Sequence, residues 1–228
     1  MKEVVVISLG GSLIIPDEIG LNFLKEFKKV ILRHSKKYKF VIVCGGGSIA
    51  RKYINALKAS GINKVLQSYS GISATRMNAR FLSYFFNQDC EQGVPERMRA
   101  VKEYLKRKNI VFCGALEYRP NQTSDSTSAE IARELGTVFI NLTNTDGLYD
   151  RNPLEFKNAK FISRISWKDF DKMTHKKKFV PGQHFVLDQN ASRIIMKNKI
   201  KTYIMGKNVR NLDNFLKNKS FKGTEIFG

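Results

Sequence analysis

The sequence predicts an α/β protein, an αβα sandwich built on an open, mostly parallel central sheet. Three observations carry this. Val4 to Leu9 and Phe40 to Cys44 are apolar runs that offer both faces to a core, as strands covered by helices on each side do. Each run stops at glycines, Gly10-Gly11 and Gly45-Gly46-Gly47, and a segment of helical spacing follows. Shorter apolar runs then alternate with further helical segments, the pattern of an open sheet whose ligands lie at the carboxyl ends of its strands.

The elements follow in order. From Leu21, the residues Leu24, Phe27, Val30, Ile31 and His34 recur on one helical face, while Lys25, Lys28, Lys29, Lys36 and Lys37 fall mainly elsewhere. Ile49, Tyr53, Ile54 and Leu57 carry the next helix to Gly61. Thr75, Ala79, Leu82 and Phe86 mark a third, and Met98, Val101, Tyr104 and Leu105 a fourth. Ile110 to Cys113 is a strand. The polar loop Glu117 to Asp125 then leads into a helix from about Ser126 to Leu135 and a strand from Val138 to Leu142. From Asp150 to Gly182 the alternation lapses into a lysine-rich stretch with Lys176-Lys177-Lys178 and Pro181-Gly182, which predicts a lobe or mobile excursion. Asp188 to Asn198 is a helix with Asp188 as N-cap and Ala191, Ile194 and Ile195 inward. Thr202 to Met205 is the last predicted strand, ending at Gly206. No internal repeat or low-complexity linker divides the chain, so residues 1–228 are expected to form one domain with two sub-lobes.

At 228 residues with 42% hydrophobic content, the chain can bury a core without staples. Forty Lys and Arg against twenty Asp and Glu leave a net charge of +20, which draws polyanions: RNA, DNA, anionic lipid or a phosphorylated small molecule. Cys44, Cys90 and Cys113 form no paired motif and fit a reducing, cytoplasmic setting, with Cys44 and Cys113 read as buried thiols. The amino-terminal run is broken by Gly10-Gly11 without a cleavage site, so no export signal is read. No apolar run reaches the ~20 residues of a membrane-spanning helix. His34, His175 and His184 show no metal-ligand spacing and are read as surface or packing residues.

Glycine loops at strand ends let backbone N–H groups approach phosphate oxygens, and a helix starting there adds the positive end of its dipole. Gly10-Gly11-Ser12 and Gly45-Gly46-Gly47-Ser48 have this form, and two such loops on one sheet outweigh a reading as tight turns. Neither matches the P-loop or the dinucleotide fingerprint. Arg51, one turn beyond Gly47, is placed to clamp the same phosphate, the alternative being a solvated surface base. In so basic a chain, Asp125, Asp146 and Asp188 at element boundaries are candidates for organising Mg²⁺ and phosphates. Their structural alternatives are helix caps for Asp125 and Asp188 and a turn for Asp146-Gly147.

Taken together, the loops Ile-Ser-Leu-Gly10-Gly11-Ser12, Gly45-Gly46-Gly47-Ser-Ile-Ala-Arg51, Gly71-Ile-x-x-Thr75-Arg76-x-Asn78-Ala79, Thr123-Ser124-Asp125, Thr143-Asn144-Thr145-Asp146-Gly147-Leu-Tyr149 and Phe185-Val-Leu-Asp188 resemble the amino-acid kinase superfamily, most closely its archaeal-type uridylate kinases. The resemblance runs from about Val4 to the carboxyl terminus. It implies Mg²⁺-dependent transfer of the ATP γ-phosphate to UMP, giving UDP, by a homo-oligomer that in this family is a hexamer. Residues 1–135 would bind the acceptor and 136–228 ATP.

The same resemblance implies individual roles. Gly10, Gly11, Ser12, Gly47, Arg51, Thr143, Asn144, Asp146, Tyr149 and Asn152 would bind ATP. Gly46, Ser68 and the stretch Tyr118, Arg119, Pro120, Asn121, Gln122, Thr123 and Ser124 would bind UMP, with Thr123 reaching base or ribose. Asp125, Asp188 and Arg51 would be catalytic, the two aspartates holding metal directly or through water. Departures are Ser8 where many superfamily members have a lysine, Ser68 where the family has a ribose-contacting aspartate, Asn152-Pro153 in place of Asp-Pro, and a lengthened loop from Leu116 to Gln122. The competing readings are a kinase of the same fold acting on isopentenyl phosphate, carbamate or an acylated amino acid, and a basic RNA-binding protein. The second lacks any RNA-recognition signature, so no specific nucleic-acid partner and no membrane are expected.

Overall fold

A computed structural model describes residues 2–89, 93–120, 122–153, 155–175 and 186–228. Cys90, Asn121, Lys176-Lys177-Lys178, Pro181-Gly182, His184 and Phe185 lie outside the described residues. In chain order the elements are β1 (Glu3–Leu9), α1 (Gly11–Ile14), α2 (Leu21–His34), β2 (Tyr38–Cys44), α3 (Gly47–Ala59), α4 (Lys64–Phe85), α5 (Met98–Arg107), β3 (Ile110–Cys113) and α6 (Ser124–Leu135). Then follow β4 (Phe139–Leu142), β5 (Leu148–Tyr149), β6 (Phe161–Ile162), β7 (Arg164–Ser166), α7 (Trp167–His175), α8 (Gln189–Lys197), β8 (Thr202–Met205), α9 (Val209–Leu216) and β9 (Thr224–Phe227).

The apolar runs become a seven-stranded sheet of order β3-β2-β1-β4-β8-β9-β7. Its first five strands are parallel, while β9 pairs antiparallel with β8 and parallel with β7. Successive residues serve opposite faces. Val5, Ile7 and Leu9 of β1 and Phe40, Ile42 and Cys44 of β2 pack with α2, α4 and α9. Val6, Val41 and Val43 pack with α5, α6, α7 and α8. From β1 the chain steps out to β2 and β3 and then returns to β4 on the other side of β1. That reversal opens a crevice at the carboxyl ends of β1 and β4.

The stretch from Asp150, expected as a lobe or mobile excursion, is folded in its described part: β6, β7 and α7 lie within it, and Phe170 of α7 is fully buried in the core. One expectation is corrected. Thr202–Met205 is not the last strand, because α9 and β9 follow. The third helix begins at Lys64, well before Thr75, where the Asn63 side chain accepts hydrogen bonds from the N–H groups of Val65 and Leu66 at 3.0 and 3.1 Å. Periodicity misses this first half for a physical reason. Asn78 of α4 bonds the Gly45 carbonyl at the carboxyl end of β2, and Gln88 the Ile110 carbonyl at the amino end of β3. The earlier turns of α4 therefore overhang the carboxyl edge of the sheet, and Val65, Leu66 and Tyr69 are exposed there.

The carboxylate of Asp213 joins α9 to α2. It accepts from His34 Nε2 at 2.8 Å, Arg33 at 3.0 Å and Lys217 at 2.6 Å. Desolvation pushes its pKa up, but hydrogen bonds from Lys217, His34 and Arg33 outweigh this and hold it at about 2. A depressed carboxyl pKa adds stability that is complete above the unfolded value near 3.9 and is lost as pH falls through the folded value. Asp213→Ala is therefore expected to cost about 1–2 kcal/mol at pH 7. Thermal melts should show this deficit shrinking between about pH 4 and pH 2.

Candidate active site

The two glycine loops touch each other. A β-carbon on Gly11 would stand 2.0 Å from the Gly47 nitrogen, and one on Gly45 2.4 Å from the Gly11 nitrogen. Only glycine permits this approach. Gly47 also has φ +63°, the left-handed region that β-carbons disfavour. Gly10 donates to the Leu142 carbonyl at 2.9 Å, which ties the first loop to the end of β4. The amino ends of α1 and α3 thus lie side by side at the sheet edge. Helix amino ends favour an anion through their N–H groups and positive dipole ends.

Beneath this edge lies a carboxylate pair. Ser8 of β1, buried amid an apolar run, donates to Asp125 Oδ1 at 2.8 Å. Asp188 accepts at Oδ1 from Ala191 N–H and Ser126 Oγ, each at 2.9 Å, and its Oδ2 is bonded by Thr123 Oγ1 and, at 3.0 Å, by Ser126 Oγ. Burial first, and then the charge of Asp188, push the Asp125 carboxyl up to about 7 against the Ser8 hydrogen bond. The expected cap role of Asp188 on α8 is present. That of Asp125 on α6 is not: Thr123 is the cap, in a reciprocal box with Ser126, and Asp125 lies one residue into the helix. Its carboxylate is not used as a cap. The Thr123 hydroxyl caps α6 and bonds Asp188.

The acceptor loop after β3 rests on α4. Ala115 N–H donates to Thr75 Oγ1 at 2.9 Å, and Arg76 donates to the carbonyls of Ala115 and Leu116 at 3.2 and 2.7 Å. Tyr118 packs on Tyr69, ring centroids 5.1 Å apart. Arg119, Pro120 and Gln122 continue this loop, and Ser124 opens α6. Gly46 sits at the cap of α3 beside Thr75, whose Cγ2 would lie 3.6 Å from a β-carbon there. On the other flank, Thr143 N–H donates to the Met205 carbonyl at 2.9 Å, and Asp146 pairs with Lys222 at 2.5 Å. Thr143 and Asn144 share a hydrogen bond, and Tyr149 packs edge-on against Phe161.

Other expected residues are not brought in by their contacts. Arg51 is exposed on α3, its guanidinium 3.4 Å from the Pro16 carbonyl. Ser68 bonds back to the Lys64 carbonyl of its own helix at 2.9 Å, and Asn152 bonds Glu155 at 2.7 Å. The buried thiols of Cys44 and Cys113 are as expected; burial pushes Cys113 up to about 12 and Cys44 well above its ordinary value, so neither is a nucleophile. Sequence reasoning assigned no role to Ser126, Thr75 or Asn78. Their signal was present: hydroxyl and amide groups at positions that helical spacing turns inward need partners.

A parallel sheet with paired backbone cradles and a carboxylate at its switch point is the architecture of a phosphate-binding α/β protein. Residues 3–206 match the amino acid kinase family, and the chain belongs to that family. It is 34% identical over 227 residues to the uridylate kinase of Thermoplasma volcanium, covering 99% of this chain and 98% of that protein. To the uridylate kinase of Thermococcus kodakarensis it is 32% identical over 204 residues, covering 89% and 90%. Among solved structures, uridylate kinase from Archaeoglobus fulgidus superposes with a TM-score of 0.84 at 32% identity, covering 99% of this chain and all 100% of that one. UMP kinase from Ureaplasma parvum, at 23% identity and a TM-score of 0.80, shares the fold.

Proposed function

We propose that the chain transfers the γ-phosphate of ATP to UMP, giving ADP and UDP for pyrimidine nucleotide synthesis. The observation that carries this reading is the backbone contact of the two glycine loops over the Asp125–Asp188 pair, joined to end-to-end likeness with uridylate kinases. An oxygen of the UMP phosphate attacks the γ-phosphorus as the bond to the β,γ-bridging oxygen breaks. Little covalent chemistry falls to the protein, so positioning and charge stabilisation dominate. Gly10, Gly11 and Ser12 hold ATP phosphates, Gly46 faces the acceptor, Gly47 lies where the two meet, and Arg51 swings from its exposed position on α3 to reach the same phosphates. Thr143, Asn144, Asp146 and Tyr149 line the adenosine side, and the loop from Tyr118 encloses the acceptor. Apart from the ATP-phosphate contacts of Gly10, Gly11, Ser12, Gly47 and Arg51, residues up to about 135 serve the acceptor and those from about 136 to 228 the donor.

Among the described residues no group of three or more metal-ligating side chains exists. Mg²⁺ fits such a site, since it is commonly held by one or two carboxylates together with substrate phosphates and waters. Asp125 would hold it. Both oxygens of Asp188 are taken up by the ends of α6 and α8, so Asp188 would act on the metal through water. When bound, the ion neutralises charge on the transferring phosphoryl group.

Met77 and Tyr84, exposed on α4, are apolar groups suited to a contact between copies in a homohexamer. No helix among the described residues is long and apolar enough to cross a membrane; free buried thiols suit a cytoplasmic setting.

Arg51→Ala is expected to reduce kcat/KM ten- to a hundredfold with an unchanged melting temperature. A charged hydrogen bond to phosphate contributes about 1.5–3 kcal/mol, whereas its exposed contact to Pro16 contributes little. Steady-state kinetics alongside a melt would check both parts. The reading as a whole is tested with a coupled ADP-release assay against UMP, CMP, dUMP, isopentenyl phosphate and carbamate. UMP is expected to be the best acceptor, and preference for isopentenyl phosphate or carbamate would overturn it.

A further inference from the structure

The overhanging first half of α4 leaves Tyr69 48% exposed, yet one side of its ring is packed against Tyr118 at an interplanar angle of 34°. Two tyrosines, one on α4 and one in the loop after β3, are thereby held together beyond the carboxyl edge of the sheet. Their placement is not left to a loose loop. Arg76 grips the Ala115 and Leu116 carbonyls and pairs with Glu96 at 2.7 Å, and Thr75 accepts from Ala115 N–H. Two turns nearer the sheet, Thr75 adjoins Gly46 of the second phosphate cradle. Six residues of helix, Tyr69 to Thr75, span about 9 Å, comparable with the reach from the phosphate to the base of a mononucleotide.

We infer that the Tyr69–Tyr118 pair is the platform on which the acceptor's pyrimidine base rests, and that Arg76 is a positioning residue that holds the platform at the right distance from Gly46. This inference rests on the reading of a nucleoside monophosphate as acceptor. An aromatic face takes a base without reading its edge, so the pair supplies affinity for a nucleotide over a bare sugar phosphate. The charge on the acceptor's phosphate is met elsewhere, at the cradle.

The test uses the full-length chain and four variants, Tyr69→Ala, Tyr69→Phe, Tyr118→Ala and Arg76→Lys. KM for UMP and for ATP is measured for each, together with competition by ribose 5-phosphate and the mass of the assembly. Tyr69→Ala and Tyr118→Ala are expected to raise KM for UMP about tenfold, the scale of one base–aromatic stack. KM for ATP, inhibition by ribose 5-phosphate and the assembly mass should stay unchanged, and Tyr69→Phe should match the parent. Arg76→Lys, which keeps the charge and loses the fork, should raise KM for UMP while leaving kcat near that of the parent. The inference is overturned if the parent phosphorylates UMP and the alanine variants retain its KM, or if Tyr69→Ala changes the assembly mass and leaves KM for UMP alone. Absence of UMP turnover by the parent would instead overturn the reading of the acceptor.

Discussion

Asp125→Asn is expected to lower kcat a thousandfold or more while making the folded chain more stable at pH 8. The two effects share one cause. The carboxylate lies partly buried beside Asp188, with a pKa near 7, so ionising it in the folded state is unfavourable until a cation arrives. Between the unfolded value near 3.9 and about 7, the folded state binds the extra proton, and stability falls as pH rises through that window. Asparagine cannot ionise and escapes the fall. The melting temperatures of parent and variant should therefore diverge progressively from pH 4 to pH 8, with the variant higher by up to about 2 kcal/mol equivalent after allowance for solvent contact. The same substitution removes the negative charge that would hold Mg²⁺ against the phosphates, and charge stabilisation of the transferring group is usually the largest catalytic contribution. In the parent, kcat/KM should rise as the free enzyme's Asp125 ionises near pH 7. A variant as active as the parent, or less stable at pH 8, would contradict this.

Gly11→Ala should abolish both folding yield and activity. Its β-carbon would lie 2.0 Å from the Gly47 nitrogen, 2.6 Å from Gly47 Cα and 2.9 Å from the Gly45 carbonyl carbon. All three are backbone atoms, so no side chain can rotate aside, and relief requires the two loops to part. Overpacking of a core costs about 1–3 kcal/mol even when side chains can yield, and a fixed backbone clash costs more. Gly136→Ala is the control. Gly136 ends α6 at φ +61° with nothing within 4 Å of an added β-carbon, so it should lose only about 1 kcal/mol. Yields of soluble protein and melts of the two variants separate the effects.

The five parallel strands were legible because each is buried on both faces and ends at glycine or a polar loop. The two reversed strands were not. β7 has three residues, none of them fully buried, and β9 alternates buried with half-buried residues after an ordinary surface helix. Loop glycines and Asp188 as a cap were also legible, because glycine clusters and capping residues signal locally. The partner of Asp125 was not, since Ser8 lies 117 positions away and only the fold brings β1 against α6. Likewise Arg76 looks like one more base among forty until its carbonyl partners are known. Local chemistry picked out the paired glycine loops; the chain's return across the sheet determined which side chains lie beside them.

The central claim, that phosphoryl transfer joins the two nucleotides at this edge, is tested most directly by ³¹P NMR of the chain with Mg²⁺, ATP and UMP. The account predicts that the ATP γ and UMP resonances fall together while ADP and UDP grow in equal amounts, with no release of inorganic phosphate. Growth of inorganic phosphate with UMP unchanged, or no change in any resonance, would contradict it.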